Sequence, residues 1–548
     1  MIETPVLIAG GGPVGTTLAL DLASRGTPSL LLEQRREQPP NPRCNTTNAR
    51  SMEFYRRLGL ADQIRDAGLP PDHPTDIVYL TAMAGQEITR YSLPPSAMAK
   101  QSSDSLDSGW PTPEPQHRIS QLYLEPILHT RARDLDQVDF WEGWRFIDYE
   151  PDGDHVVATV ESVENGEIRS VRARYLIGAE GARSVVRRTM GAVFEGNPSV
   201  ARSLSTFIRC PALGELSSEQ AGWMYRVIGP TRYHRFVAID GADRFIYHLT
   251  LGQDDDPAAI DLETELAEGL GMAAEFEILG QVDWVARAMV ADRFHRDNVF
   301  LVGDAAHIWI PMGGFGMNAG VADATNLSWK LTAALEGWAG PQLLPSYEQE
   351  RKPMGELVAA AAVGINTDLL AAIRTADGIH GDGETAASAR AELGKVIAAA
   401  NTTEFNSIGM QLGYVYDRSN VILDDAAPTP GFSLGAFQPT SHPGIRAPHA
   451  WLEDGTSLFD HFGSGFTLLV LGDGLDPSTF STAATSLGVP LDILPIDTPE
   501  LSELYEDYLA VLIRPDQHIA WRGNEVVDAA QILARSVGFV DGVPASRT

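Results

Sequence analysis

The sequence predicts an α/β fold: a parallel-sheet domain interrupted by an antiparallel sheet and followed by a separate C-terminal α/β unit. Three stretches predict it. A βαβ unit with a glycine turn opens the chain, alternating aromatic strands fill residues 203–251, and a β-α-β pattern closes the last hundred residues.

In the opening unit a buried-strand run, Val6-Leu7-Ile8-Ala9, leads into Gly10-Gly11-Gly12-Pro13-Val14-Gly15, and a helix-like run follows from Thr16 to Ala23. A second apolar strand, Ser29-Leu30-Leu31-Leu32, ends in Glu33, 18 residues beyond Gly15. Flanked in this way, the Gly-x-Gly-x-x-Gly turn reads as a dinucleotide site. Gly10 allows the tight turn, Gly12 lets a pyrophosphate approach the backbone, and Gly15 lets the helix pack on the strand. The helix N-terminus faces the phosphate charge, and Glu33 accepts from ribose hydroxyls.

The chain has 548 residues, too many for one core, with 44% hydrophobic and 21% charged residues, the balance of a multi-domain globular protein. A formal charge of −32 and a pI near 4.7 argue against a nucleic-acid backbone or an anionic membrane as partner. No hydrophobic run approaches about twenty residues, and residue 6 already lies in the first strand, so a cytoplasmic protein without leader or membrane span is expected. Cys44 and Cys210 are the only cysteines, which excludes a disulfide scaffold or a cysteine-ligated metal site.

After the first unit comes a polar segment, Pro42 to Arg50, and a helix-like stretch to Leu60. Residues 102–115 read as a mobile Ser/Pro/Asp-rich loop, and Ile119 to Leu128 as a helix returning to the first domain. The strand Tyr175-Leu176-Ile177 feeds a second glycine turn, Gly178-Ala179-Glu180-Gly181-Ala182-Arg183-Ser184. Antiparallel strands with one face buried follow around 204–208, 224–228, 235–239 and 245–249, then a helical pattern near 261–274. Another buried strand, Val299 to Val302, precedes a long helix to Leu335, and an Ala-rich helical region fills 354–400.

The second decisive constellation is Gly303-Asp304-Ala305-Ala306-His307, then Pro311-Met312-Gly313-Gly314-Phe315-Gly316-Met317-Asn318, then Asp323. An acid directly after a strand and a glycine suits a ribityl or ribose hydroxyl. The Gly313–Asn318 loop opens a helix whose N–H groups and dipole stabilise negative charge.

With these motifs in order, the chain resembles the single-component FAD-dependent aromatic hydroxylases of the para-hydroxybenzoate hydroxylase fold, closest to the phenol and chlorophenol hydroxylase branch. The match runs over the whole chain and takes in Leu344 to Pro353 and His442 to His449. The fold it implies is a Rossmann-like FAD-binding domain (1–74, 118–190, 291–370) with an inserted antiparallel-sheet substrate domain (75–117, 191–290). A helical connection (371–429) and a thioredoxin-like domain (430–548) follow. That last domain contains no cysteine, so disulfide exchange is excluded and packing or dimerisation, as in a homodimer, is left to it.

The resemblance assigns Asp304 to the FAD ribityl chain and the Pro311–Asn318 loop, Gly316 and Met317 included, to the isoalloxazine. Gln121 would touch the flavin, and Arg43 would lie near its pyrophosphate or ring. Arg183 and its turn would serve both FAD and the passing NAD(P)H. One departure stands out: Glu180 occupies a position where the family has Asp, changing reach and angle. Only one dinucleotide fingerprint exists, so NAD(P)H is a transient reductant. The implied cycle reduces FAD, forms a C4a-hydroperoxide with O2 and hydroxylates a phenolic or polycyclic aromatic ring.

Removing the phenol proton needs a nearby acceptor, because a free phenol titrates near about 10. The candidates on the alternating strands are Tyr225, Tyr233, His234, Tyr247 and His248, and alternation places Tyr247 and His248 on opposite faces. His307 reads as structural or cofactor-lining, and Asn45 as a further contact in the loop after Arg43. A flavin-dependent halogenase is the alternative enzyme. It would show a Trp-x-Trp-x-Ile-Pro run, of which Trp309-Ile310-Pro311 is only an echo. A non-catalytic FAD-binding protein is the other alternative.

Overall fold

The computed structural model describes residues 1–38, 41, 43–99, 110–472, 474–496, 498–525 and 528–540. In the first sheet the Ile2–Ala9 strand lies between Ser29–Glu33 and Ile168–Gly178, parallel to both. Val138–Glu142 extends the sheet on one side and Val299–Leu301 on the other, both parallel to their neighbours. The inner strands are apolar runs buried on both faces. Pro13–Ser24 packs there with Phe315–Glu336 and Gln121–Arg133. An antiparallel hairpin, Trp144–Asp152 with His155–Ser162, adds to the edge of Ile168–Gly178.

The second sheet has eight strands and is antiparallel but for one pair, Met224–Ile228 beside Ile77–Leu80. Two of its strands, Phe194–Arg209 and Glu277–Ala291, run 16 and 15 residues and form its long ribbon. Its last edge strand, His307–Ile308, comes from within the stretch assigned by sequence to the first domain. The Gly303 turn is thereby tied to both sheets.

The third sheet is four-stranded, with Phe466–Val470 parallel to Leu491–Pro495 and antiparallel to Ala510–Ile513, which pairs with Ile519–Gly523. Helices Ser478–Leu487 and Ala529–Ser536 pack together in the core on one face, giving the thioredoxin-like arrangement. The short strands Leu491–Pro495 and Ile519–Gly523, the first bounded by Pro490, carry little hydrophobic signal and are not evident in the sequence.

Two expectations change. Residues 102–109 of the proline-rich loop lie outside the described residues, but 110–115 are packed rather than mobile. Thr112 donates to Glu53 at 2.6 Å, and buried Glu114 accepts from Arg56 and Arg65 at 2.8 and 2.7 Å. Ser346–Ile373 is also long and apolar enough by composition to cross a bilayer. One side of this helix carries Tyr347, Glu350, Arg351, Val358, Ala362 and Leu369 into the protein interior.

Buried ion pairs join the C-terminal unit to the rest. Glu53 accepts from Arg446 and Arg50, and Glu350 accepts from Lys330 and from both terminal nitrogens of Arg514. Burial alone would raise the Glu53 carboxyl, but the Arg446 and Arg50 charges hold it down at about 2. Asp516 is likewise held at about 2 against burial by Arg514 and His518. A carboxyl depressed in the folded state contributes stability that is complete above its unfolded value and is lost as pH falls toward the folded one. Denaturant midpoints are therefore expected to drop between about pH 5 and pH 2, and Glu53→Gln to flatten part of that drop. An unchanged slope in the variant would remove Glu53 from the cause.

Candidate active site

The glycine turn fits a pyrophosphate. Gly10 sits at φ +112°, and a Cβ there would stand 2.4 Å from the Ala179 carbonyl oxygen. At Gly15 it would stand 2.0 Å from the Gly10 oxygen, whereas at Gly12 it would meet nothing within 4 Å. Gly12 caps the Pro13–Ser24 helix without any side-chain bond, so that open space lies over free N–H groups. Pro13 opens the helix, where its missing N–H costs nothing. Glu33 braces the turn from beneath: one carboxylate oxygen accepts from Gly11 N–H at 3.1 Å and the other from the backbone and side chain of Arg35. His129, which sequence reasoning did not single out, reaches the Gly11 carbonyl at 2.7 Å.

The second glycine turn differs from its expected role. Glu180 turns its carboxylate onto the next helix, accepting from Val185 and Val186 N–H at 3.0 Å and from Ser184 at 2.7 Å. Glu180 thus caps that helix, and burial raises its carboxyl. Arg183 is exposed at the surface of the turn. Gly181 abuts Asp304, with its Cβ direction 3.9 Å from the Asp304 side chain.

Asp304 reaches solvent from the short helical turn Gly303–Ala305, yet enough protein surrounds it that desolvation raises its carboxyl, opposed by His307 and Arg43. Behind the turn lies a buried cluster. Asp323 accepts from His307 Nε2 at 2.6 Å, from Gly303 N–H at 3.0 Å and from Arg351 Nε at 2.7 Å. Of the two roles its motif left open, structural or cofactor-lining, the Asp323 contact supports the structural one.

Gly313 and Gly314 take φ of +70° and +65°, a left-handed pair that reverses the chain after exposed Pro311. The Phe315–Glu336 helix starts there with no side-chain cap, leaving its first N–H groups open beside half-buried Gly316 and Met317. The Asn318 amide is spent inside the protein: it accepts from Asn48 N–H at 2.9 Å and donates to Thr46 and Gly314 carbonyls at 3.0 and 2.7 Å. Asn318 therefore fixes the Arg43–Asn48 loop against the helix start. Exposed Arg43 lies at the beginning of this loop, and Gln121 ties to it through its N–H to the Cys44 carbonyl at 2.9 Å. The Gln121 side chain donates to Glu125.

The second sheet separates the proton-acceptor candidates. Tyr225, His234 and Tyr247 share one face by register. The Tyr225 hydroxyl is held by Ser217 and Gly222, and burial pushes it up to about 12. His234 bonds Tyr247 at 2.8 Å and Glu268 of the Leu262–Leu270 helix at 3.2 Å. These three hydroxyl and imidazole groups are committed beneath covering helices.

Tyr233 is on the opposite face, with Arg226, Arg235 and His248 in neighbouring registers. That face looks toward Glu404 of the Glu384–Phe405 helix and toward Asn41, whose side chain donates to the Ser205 carbonyl at 3.2 Å. Arg226 donates to Glu404 at 2.6 Å and to the Tyr79 hydroxyl at 2.8 Å. Arg226 Nε, Arg235 Nε and His248 Nδ1 are buried with no hydrogen-bond partner. The Tyr233 hydroxyl stands beside Arg226 without a well-aligned bond. Burial, then Arg235, hold His248 well below its ordinary value, so it is neutral at neutral pH. Sequence reasoning passed over the two arginines. The signal was in the alternation, which gives Arg235 the same face as Tyr233.

The comparisons agree with this geometry. A model described as FAD binding domain matches residues 3–362, and one described as aromatic-ring hydroxylase, C-terminal, matches 440–539. The chain is 31% identical to the FAD-dependent monooxygenase apdD of Emericella nidulans, over 97% of this chain and 90% of that one. The rebeccamycin biosynthetic enzyme RebC with reduced flavin superposes with a TM-score of 0.89 at 34% identity, covering 98% and 99% of the two chains. The flavin-dependent monooxygenase PieE, in complex with FAD and substrate, gives 0.87 at 30% identity, covering 98% and 99%. The protein belongs to the single-component FAD-dependent aromatic-ring hydroxylases, using FAD, O2 and NAD(P)H to hydroxylate an aromatic substrate.

Proposed function

We propose that this hydroxylase acts on a polycyclic phenolic substrate carrying an acidic group, bound on the Arg226–Arg235–His248 face of the second sheet. The observation that carries the reading is the pair Arg226 and Arg235, opposite each other across two strands with both Nε atoms buried and unpartnered. Burial and the adjacent Arg226 charge both work against the Arg235 cation, and Arg235 makes no ion pair among the described residues. An incoming carboxylate relieves both costs and takes the forked donors. The solved form of RebC soaked with chromopyrrolic acid holds a 7-carboxy ligand, which supports an acidic substrate here by likeness.

The residues that would hold FAD are the Gly10–Gly15 turn with its helix N-terminus, Arg43, Asp304, and the backbone between Gly313 and Asn318. Bound there, FAD supplies oxygen activation with electrons from NAD(P)H. The chain's own work is binding, orientation and water exclusion. Arg226 and Arg235 anchor the acid, while the Tyr233 hydroxyl and neutral His248 offer hydrogen bonds to the ring hydroxyl. Of the expected acceptors, Tyr233 and His248 stay in this reading, while Tyr225, His234 and Tyr247 lie on the other face. The reading takes the enzyme as cytoplasmic, and as having no nucleic-acid or anionic-membrane partner, which the charge of −32 supports.

Polycyclic phenols with and without a carboxyl group, screened for stimulated NAD(P)H oxidation with hydrogen peroxide measured alongside, test it. The acid-bearing members should stimulate most. Arg235→Met should raise their KM by about 10- to 100-fold and leave neutral phenols unaffected, the loss of one charge-assisted contact. Equal response to neutral and acidic phenols in both proteins would overturn the acidic substrate.

A further inference from the structure

We propose that the tip of the last hairpin of the thioredoxin-like domain, Arg514–His518, positions the Arg43–Asn48 loop for FAD. The inference rests on the reading that this loop lies against the cofactor. The tip is driven into the first domain: Arg514, Asp516, Gln517 and His518 are each 3% exposed or less. Arg514 donates to both oxygens of Glu350 at 2.7 and 2.8 Å and to Asp516 at 2.6 Å, which fixes the tip itself.

From that fixed point the tip grips one residue. Arg50 donates to the Asp516 carbonyl and to Gln517 Oε1, both at 2.6 Å, and to Glu53 at 2.7 Å. Glu53 in turn is held by Arg446. Gln517 makes its contact from φ +65°, a left-handed conformation that non-glycine residues adopt at a cost. Arg50 is the second residue of the Ala49–Arg57 helix, and the preceding Asn48 caps that helix through Ser51 N–H at 2.8 Å. Asn48 N–H is also the group bound to Asn318. Two peptide units therefore separate the hairpin's grip from the contact that ties the loop to the start of the Phe315–Glu336 helix. A redox-silent domain is thus coupled to the cofactor loop through buried, charge-assisted bonds.

The same helix offers a control. Arg56, at its far end, also bonds the C-terminal unit through Asp460, at 2.7 Å, but it is partly exposed and distant in sequence from the loop. Three variants of the full chain, Arg50→Met, Arg56→Met and Arg43→Ala, separate the outcomes. FAD dissociation constants come from fluorescence on reconstituting apoprotein. Tryptic cleavage after Arg43 in the apoprotein gives a readout independent of turnover. Arg50→Met should weaken FAD by about tenfold and speed cleavage after Arg43, whereas Arg56→Met should change FAD affinity by less than about twofold.

If Arg50→Met fails to fold, Gln517→Gly removes only the side-chain acceptor and relaxes the left-handed residue. It should still weaken FAD by about threefold without lowering the denaturation midpoint. Wild-type FAD affinity in Arg50→Met and Gln517→Gly, or equal losses in Arg50→Met and Arg56→Met, would overturn the coupling. Unchanged affinity in Arg43→Ala would overturn it by removing the loop from the cofactor.

Discussion

Gly10→Ala is expected to leave a folded chain that no longer retains FAD. The new Cβ would lie 2.4 Å from the Ala179 oxygen, 2.6 Å from its carbon and 2.8 Å from Glu180 N, all backbone atoms that cannot swing aside. At φ +112° the residue is also outside the range an alanine adopts cheaply. Conformational strain of about 1–3 kcal/mol and a similar overpacking cost fall on the turn, the part of the fold that must accept the pyrophosphate. If half of the upper end of that sum, about 3 kcal/mol, is released only by deforming the site, affinity falls by about a hundredfold. Gly12→Ala makes the contrast. Its Cβ meets nothing in the protein and its φ is −68°, so the apoprotein should keep full stability and lose affinity only where the methyl meets the ligand. Fluorescence titration of FAD against both variants, with circular dichroism on the apoproteins, gives the result. Wild-type affinity in Gly10→Ala would remove the turn from the cofactor site.

The sequence was most readable where backbone geometry alone determines it. The Gly10–Gly15 turn, the strand ending at Glu33 and the start of the Phe315–Glu336 helix are local, with spacing that follows from the turn itself. The faces of the second sheet were harder, because register comes from pairing between distant strands. Alternation separates Tyr247 from His248, but only the pairing of His248 with Ser205, and the helix lying over His234, shows which side faces inward. Arg226 and Arg235 went unmarked in the sequence, and it is the turn between them that sets them opposite each other. Glu180 shows a different limit. Its motif identified the turn, but not that the carboxylate accepts from Val185 and Val186. The hairpin tip at Arg514–His518 carries no hydrophobic period at all, and its partners Glu350, Arg50 and Asn326 lie more than a hundred residues away.

Asp323→Ala is expected to produce the largest single loss of stability near the cofactor site, together with loss of FAD. Asp323 is wholly buried and is the common acceptor for His307, Arg351 and the Gly303 N–H. Burial would raise its carboxyl, but the His307 and Arg351 charges keep it lowered. Removing it leaves the Arg351 guanidinium, 3% exposed at its side chain, facing the Tyr416 hydroxyl and the Ala319 carbonyl without a counter-ion. An uncompensated buried charge of this kind costs about 3–5 kcal/mol. The lost Gly303 bond then frees the φ +58° turn that aims Asp304, so affinity for FAD falls with stability instead of independently of it. Asp323→Asn preserves the shape and one acceptor oxygen, and should sit between wild type and alanine. The double variant His307→Gln/Asp323→Ala should cost less than the sum of its parts, because each single change already breaks the 2.6 Å contact. Urea unfolding of the apoproteins with parallel FAD titrations measures all three. A cost below about 1 kcal/mol in Asp323→Ala, with FAD affinity intact, would show that the turn holds its shape without this carboxylate.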